Sequence, residues 1–177
     1  AVRLEHANRA DAQFGACVAT LREIGLDVQG FVRTPREDAE FPLHSVGDLG
    51  AWLPRARLLV LCAPLTPESR GLVDAKLLAA GHPRLLLVNV ARGALVVTAD
   101  LLAALDAGRL ERAVLDVFAE EPLPPDSPLW IHPKVVVTPH HSGPSTLRAM
   151  VPDVLENLRR FAEGRPVVDA VDRARGY

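Results

Sequence analysis

The feature that most constrains this chain is a series of four short apolar runs: residues 58–64 (LLVLCAP), 85–90 (LLLVNV), 113–117 (AVLDV) and 135–137 (VVV). Each is rich in valine and leucine, short for a helix, and bounded by turn residues. The apolar residues follow one another without alternation. That is the pattern of strands covered on both faces, and such strands pair in parallel sheets. Helical spacing fills the text between the runs. Asp74 opens a stretch through Leu78 and Ala79, and Asp100 to Ala107 form another that stops at Gly108. Upstream, Ala16, Val18, Ala19, Leu21 and Ile24 make a helical stripe ending at Gly25, followed by a strand over 27–32 (DVQGFV) and a polar turn at 33–36. Strand and helix therefore alternate. Right-handed crossovers make an α/β fold, with a doubly wound, mostly parallel, Rossmann-like sheet, the economical topology.

The remaining text is less regular. Val2 and Leu4 alternate with polar residues, but His6, Asn8 and Arg9 interrupt anything like a buried strand. Residues 37–49 read as loop apart from a short helix near 46–52, and Thr66-Pro67-Glu68 reads as the opening of another short helix. A long helix is expected over 145–164, with Leu147, Val151, Val154, Leu155, Leu158 and Phe161 on one side and Pro152 placed to bend it. An apolar face that wide calls for a packing partner, and exposed apolar area of this kind favours association, so a homodimer is expected. The division expected is a dinucleotide-binding domain over 1–144 and a C-terminal helix and tail over 145–177.

Composition narrows the function classes. At 177 residues the chain is most simply one domain with a real core. A net charge of -2 leaves no basic footprint for nucleic acid or an anionic membrane. No apolar run approaches a spanning helix and no signal peptide is visible, so no membrane partner is expected. Cys17 and Cys62 lack metal or disulfide spacing, which suits a reducing cytoplasm.

Three polar residues stand just beyond three of the runs: Arg92, Glu121 and His140. In neighbouring parallel strands they would meet at the carboxyl edge of the sheet, where α/β proteins place their ligands. Taken singly, each has an ordinary reading. An arginine at a strand end often pairs with a surface carboxylate, a glutamate beside Glu120 is usually solvated, and a histidine after a strand is more often structural. The pair His140-His141 suggests a metal, but no third ligand stands at helical or hairpin spacing, so no metal is expected. As a set they offer more. A guanidinium can hold a carboxylate and polarise an adjacent carbonyl. An imidazole can exchange a proton near neutral pH, with a carboxylate orienting its ring. Gly93, next to Arg92, would let backbone approach a ligand closely.

The strings VNVARGALV, LDVFAEEPLP and VVTPHHSG, in this order, resemble the NAD(P)-binding domain of the D-isomer-specific 2-hydroxyacid dehydrogenases, and LCAPLTPESRGLV is similar to the same family's text. The C-terminal NLRRFAEGRPVVDAVDRARGY is similar to its glyoxylate/hydroxypyruvate reductase A branch. The resemblance implies a small 2-oxo or 2-hydroxy acid as substrate, with Arg92 as its binding arginine. It implies His140 as the acid/base that protonates the carbonyl oxygen and Glu121 as its partner. Asp116 would contact the nicotinamide carboxamide, Pro64, Leu65 and Thr66 would line the nicotinamide side, and Asn89, Val90 and Ala91 the ribose side. Glutamate rather than glutamine at 121 points away from the formate dehydrogenase branch. His141 and Ser142 stand where the family more often has a small or aliphatic pair, and no chemistry is assigned to them.

Cofactor choice is read at the end of the second strand, where NAD-specific relatives place an acid that accepts from the ribose hydroxyls. Here Val32-Arg33-Thr34 is followed by Arg36, and cations there could meet a 2′-phosphate, so NADP(H) is expected to be preferred over NAD(H). Two departures accompany the resemblance. With Gly15 as the third glycine of the phosphate-binding loop, Ala10 and Ala12 occupy the first two places, and a methyl at 12 crowds the approach to a pyrophosphate. The family's substrate domain, which precedes this region, is absent from the sequence. The alternative reading is therefore a non-catalytic dinucleotide-fold module that acts through dimerisation or binding.

Overall fold

The computed structural model describes residues 18–35, 41–143, 147–168 and 170. The expected first strand at Val2 and Leu4, the glycine loop with Ala10, Ala12 and Gly15, and Arg36 lie outside the described residues.

A helix over residues 18–23 (α1) leads to β1 (Gly30–Val32) and β2 (Leu43–Ser45), which pair in parallel with Phe31 opposite His44. A 3-10 turn, the short α2 (Leu49–Trp52) and a second 3-10 turn follow. Next come β3 (Leu58–Leu61), α3 (Ala75–Ala79), β4 (Leu86–Asn89), α4 (Thr98–Asp106), β5 (Arg112–Leu115) and β6 (Val135–Val137). These four strands form a parallel sheet in the order β3-β4-β5-β6, with α3 and α4 in the first two crossovers and a 3-10 turn (Pro128–Trp130) in the third. The last described helix is α5 (Leu147–Ala162). The Rossmann-like parallel architecture read from the apolar runs is present.

Local chemistry explains the boundaries. Asp74 accepts from Leu77 N–H at 2.8 Å and starts α3, while Asp100 of α4 accepts from Ala75 N–H at 2.8 Å, tying the two helices together. Gly108, at φ +69°, turns the chain out of α4, and Lys134 Nζ donates to the Leu105 carbonyl at the negative end of that helix.

Three expectations need correction. The stretch 37–49 reads as loop in sequence, yet it contains β2; three residues without a periodic signature carry no strand signal of their own, and pairing with β1 decides it. Residues 67–71 form turns rather than a helix. Thr66 N–H donates to Ser69 Oγ at 2.7 Å and Ser69 N–H to Thr66 Oγ1 at 3.2 Å, and Gly71 N–H then binds the Ala94 carbonyl, which diverts the chain. The expectation of strands covered on both faces holds only in part among the described residues, where Val18 and Leu21 of α1 pack with Cys62 just beyond β3 on the second face. Leu59, Leu61, Leu87, Ala113 and Leu115 are buried against Leu78, Leu101, Ala104 and Leu105. On the other face Leu58, Leu86 and Val136 remain 36%, 37% and 38% exposed.

Candidate functional site

The register of the sheet builds the site. Leu61, Asn89, Leu115 and Val137 stand side by side at the ends of their strands, so the segments after them emerge along one edge. Those segments carry Pro64 to Thr66, Arg92, Asp116 to Glu121, and His140.

His140 Nδ1 lies 2.8 Å from Glu121 Oε2. The other oxygen of Glu121 accepts the Phe118 N–H at 2.8 Å, so the carboxylate is fixed by its own turn before it meets the imidazole. The Phe118 amide first, then the hydrogen bond and charge of His140 and the charge of Arg92, hold the Glu121 carboxyl below its usual range against the opposing effect of burial. The His140 side chain is 51% exposed and, with Nδ1 engaged, presents Nε2 as the ring atom available to a ligand.

Arg92 owes its position to two neighbours. The buried Asn89 amide folds back on its own loop, its oxygen accepting from Ala91 N–H at 3.1 Å and its nitrogen donating to the Arg92 carbonyl at 3.0 Å. Gly93 packs directly on the next loop, where an added methyl would collide with the backbone of Phe118 and Ala119. The close approach expected at Gly93 is thus made to protein backbone and not to a ligand. The contact keeps the Arg92 loop against the turn that holds Glu121. The Arg92 side chain donates to the Ala91 carbonyl at 2.6 Å and otherwise faces solvent.

Asp116 is 2% exposed, and both its oxygens are occupied. One accepts from Thr138 Oγ1, His141 N–H (3.2 Å) and His141 Nδ1 (3.1 Å). The other accepts from Ser142 N–H (2.9 Å) and Ser142 Oγ (2.6 Å). Burial is the largest single influence and pushes the carboxyl up, but the bonds from Ser142, Thr138 and His141 together hold it far below the usual carboxylate range. His141 and Ser142, to which the sequence reading gave no chemistry, are therefore part of the site's frame. The only advance signal was two polar residues in place of a small or aliphatic pair.

The cofactor-side residues divide by exposure. Thr66 is buried and its hydroxyl turns into its own loop, and the Asn89 side chain is likewise used internally. Pro64 and Leu65 are half-buried, Ala91 is buried, and Val90 is exposed at the edge. Arg33 and Thr34 are exposed at the end of β1. A guanidinium and a hydroxyl beside apolar edge residues suit a phosphorylated nucleotide, so the described donor set fits a dinucleotide. A cavity of about 420 Å³ lies at the opposite, amino edge of β1 and β3, its lining including Leu21, Val28, Trp52, Leu58 and Val60, and takes no part in this site. Among the described residues no group of three His, Cys, Asp or Glu side chains is arranged to hold a metal, and no helix is long and apolar enough to cross a membrane.

Comparison with known proteins gives the same direction. The family described as D-isomer specific 2-hydroxyacid dehydrogenase, NAD binding domain, matches residues 13–142. A glyoxylate/hydroxypyruvate reductase A from Escherichia fergusonii is 44% identical over 130 residues, covering 73% of this chain and 42% of that protein. A D-isomer specific 2-hydroxyacid dehydrogenase from Xanthobacter autotrophicus Py2, solved with NADPH and MES, superposes at a TM-score of 0.86 and 39% identity over 99% of this chain and 72% of its own. The NADPH-dependent glyoxylate/hydroxypyruvate reductase of Sinorhizobium meliloti, solved with NADP and sulfate, gives 0.86 and 34% over 99% of this chain and 56% of its own. The chain thus spans less than half the length of the curated relative.

Proposed function

Because this chain belongs to the D-isomer specific 2-hydroxyacid dehydrogenase family, whose NAD-binding domain it contains, we propose that it is the cofactor-binding and proton-transferring part of a reductase for small 2-oxo acids such as glyoxylate or hydroxypyruvate. The single observation that carries this reading is the 2.8 Å bond from His140 Nδ1 to Glu121 Oε2 at the carboxyl edge of the sheet, which engages Nδ1 and leaves Nε2 for a ligand. When bound, the nicotinamide supplies the hydride for the carbonyl carbon. Arg92 clamps the substrate carboxylate through its guanidinium fork. His140 delivers a proton from Nε2 to the carbonyl oxygen, and Glu121 stabilises the imidazolium and orients the ring. Pro64, Leu65, Thr66 and Asn89 to Ala91 form the nicotinamide and ribose side of the groove.

The preferred cofactor is NADP(H). Arg33 and Thr34 at the end of β1 would receive the 2′-phosphate, with Arg36 and Gly15 completing the nucleotide contacts. The reading includes a dinucleotide-binding domain over 1–144, a C-terminal helix and tail over 145–177, a cytoplasmic location, and a homodimer formed through the apolar face of α5.

Titrating the purified chain with NADPH and NADH while following nicotinamide fluorescence tests the proposal. Saturable binding with NADPH tighter than NADH is expected; tighter NADH binding removes the assignment of Arg33. No binding at millimolar cofactor would favour a non-catalytic module instead, the outcome that Ala10 and Ala12 in the glycine loop would explain. In the full-length protein, His140→Ala should lower kcat by at least about 100-fold, the usual scale of general acid–base catalysis, with NADPH affinity retained. Unchanged turnover would take His140 out of the reaction.

A further inference from the structure

The five donors around Asp116 do not surround it at random. Thr138 lies two residues before His140 in the chain, and His141 and Ser142 lie one and two residues after it. The carboxylate therefore grips the turn on both sides of the imidazole. His140 itself sits at φ +52°, a left-handed conformation that a non-glycine residue adopts only when its surroundings impose it. Its own N–H reaches back to the Thr138 carbonyl at 3.1 Å, so the turn is tight. Glu121, the acceptor for the ring, is held by Phe118, two residues beyond Asp116. Both the backbone that carries the imidazole and the carboxylate that orients it are thus anchored to the one segment after β5.

We propose that Asp116, Ser142 and Thr138 form a clamp that holds His140 in its left-handed turn and aims Nε2 outward, which makes Ser142 and Thr138 positioning residues for proton transfer. The proposal rests on the reading of His140 as proton donor, and it extends that reading to residues otherwise without a role. The bonds are of the right kind. Hydroxyl-to-carboxylate hydrogen bonds are charge-assisted, and a carboxylate with about four lone-pair sites is saturated by these partners. Saturation also argues that Asp116 serves the turn first, because a further donor would have to displace one already present.

The clamp is tested in the full-length protein by Ser142→Ala and Ser142→Thr, with two readouts. The first is the imidazole Nδ1–H proton resonance of His140, identified by its loss in His140→Ala, which reports the bond to Glu121 directly. The second is the split between kcat, KM and the NADPH dissociation constant. In Ser142→Ala the resonance should shift or broaden and kcat should fall on the order of 10- to 100-fold, the scale of a misaligned reacting group, with cofactor affinity held within about twofold. Ser142→Thr should restore both. Where Ser142→Ala fails to fold, Thr138→Val removes a hydroxyl from the other carboxylate oxygen and should give the same displacement. A His140 resonance unmoved in the folded variants overturns the clamp, and so does a loss of NADPH affinity as large as the loss of kcat, which would make these residues cofactor contacts. Turnover that survives His140→Ala refutes the proton-donor reading alone, while the resonance still judges the clamp.

Discussion

Gly93 and Asp116 hold the site together by opposite means. Gly93 does so by lacking a side chain, since the backbone of Phe118 and Ala119 occupies the space a methyl would need. Gly93→Ala must push the Arg92 loop off the Glu121 turn. Backbone has little room to yield, so a loss of about 3 kcal/mol or more is expected in urea unfolding. Asp116 holds by charge. Its carboxyl is depressed in the folded chain, so the unfolded chain takes up its proton first on acidification. Its stabilisation is therefore complete above the ordinary value of about 3.9 and drains away as pH falls below it toward the folded value. Asp116→Asn would turn an amide NH₂ toward groups that donate, and should cost roughly 3 kcal/mol at pH 7. The same variant should flatten the acid limb of stability between about pH 4 and 2. An acid limb as steep as that of the unsubstituted chain would show that other carboxylates control it.

At the scale of elements, legibility followed the strength of the local signal. β6 occurs where VVV predicts it, and α3 starts at Asp74 because a side-chain cap is written in one residue. β2 was hidden, since LHS carries no pattern and only β1 makes it a strand. The turn at 66–71 is not legible because Thr-Pro-Glu resembles a helix start, whereas Ser69 draws the Thr66 amide into a local loop. α5 shows the reverse case, with a clear sequence signal and an outward face. Val154, Leu155, Leu158 and Phe161 are 53%, 56%, 59% and 78% exposed, while Asn157 on the polar side binds the backbone of Val168 in both directions. Leu155→Lys with Leu158→Glu should therefore change the unfolding free energy by no more than about 0.5 kcal/mol when measured at a dilution where the chain is monomeric. The same pair should abolish self-association in sedimentation velocity if α5 forms the dimer contact, and unchanged association would place that contact elsewhere.

For the molecule as a whole, sequence alone determined the class of fold. Continuous apolar runs spaced by helical text leave few alternatives to a parallel α/β sheet, because backbone pairing and burial must be satisfied together. Sequence also placed Arg92, Glu121 and His140 beyond successive strands, since a parallel register carries loop residues to one edge whatever the loops contain. Tertiary structure decided what those loops do. Which carboxylate meets which imidazole depends on distances set by turns, and turns have no period to read. Glu121 faces His140 because Phe118 holds it, Gly93 is needed because another loop fills its space, and Asp116 spends its charge on the turn that carries His140. The partly covered sheet face belongs to the same class of fact. An apolar strand residue looks alike in sequence whether or not a neighbour covers it, and only the packing reveals that Leu58, Leu86 and Val136 remain exposed among the described residues.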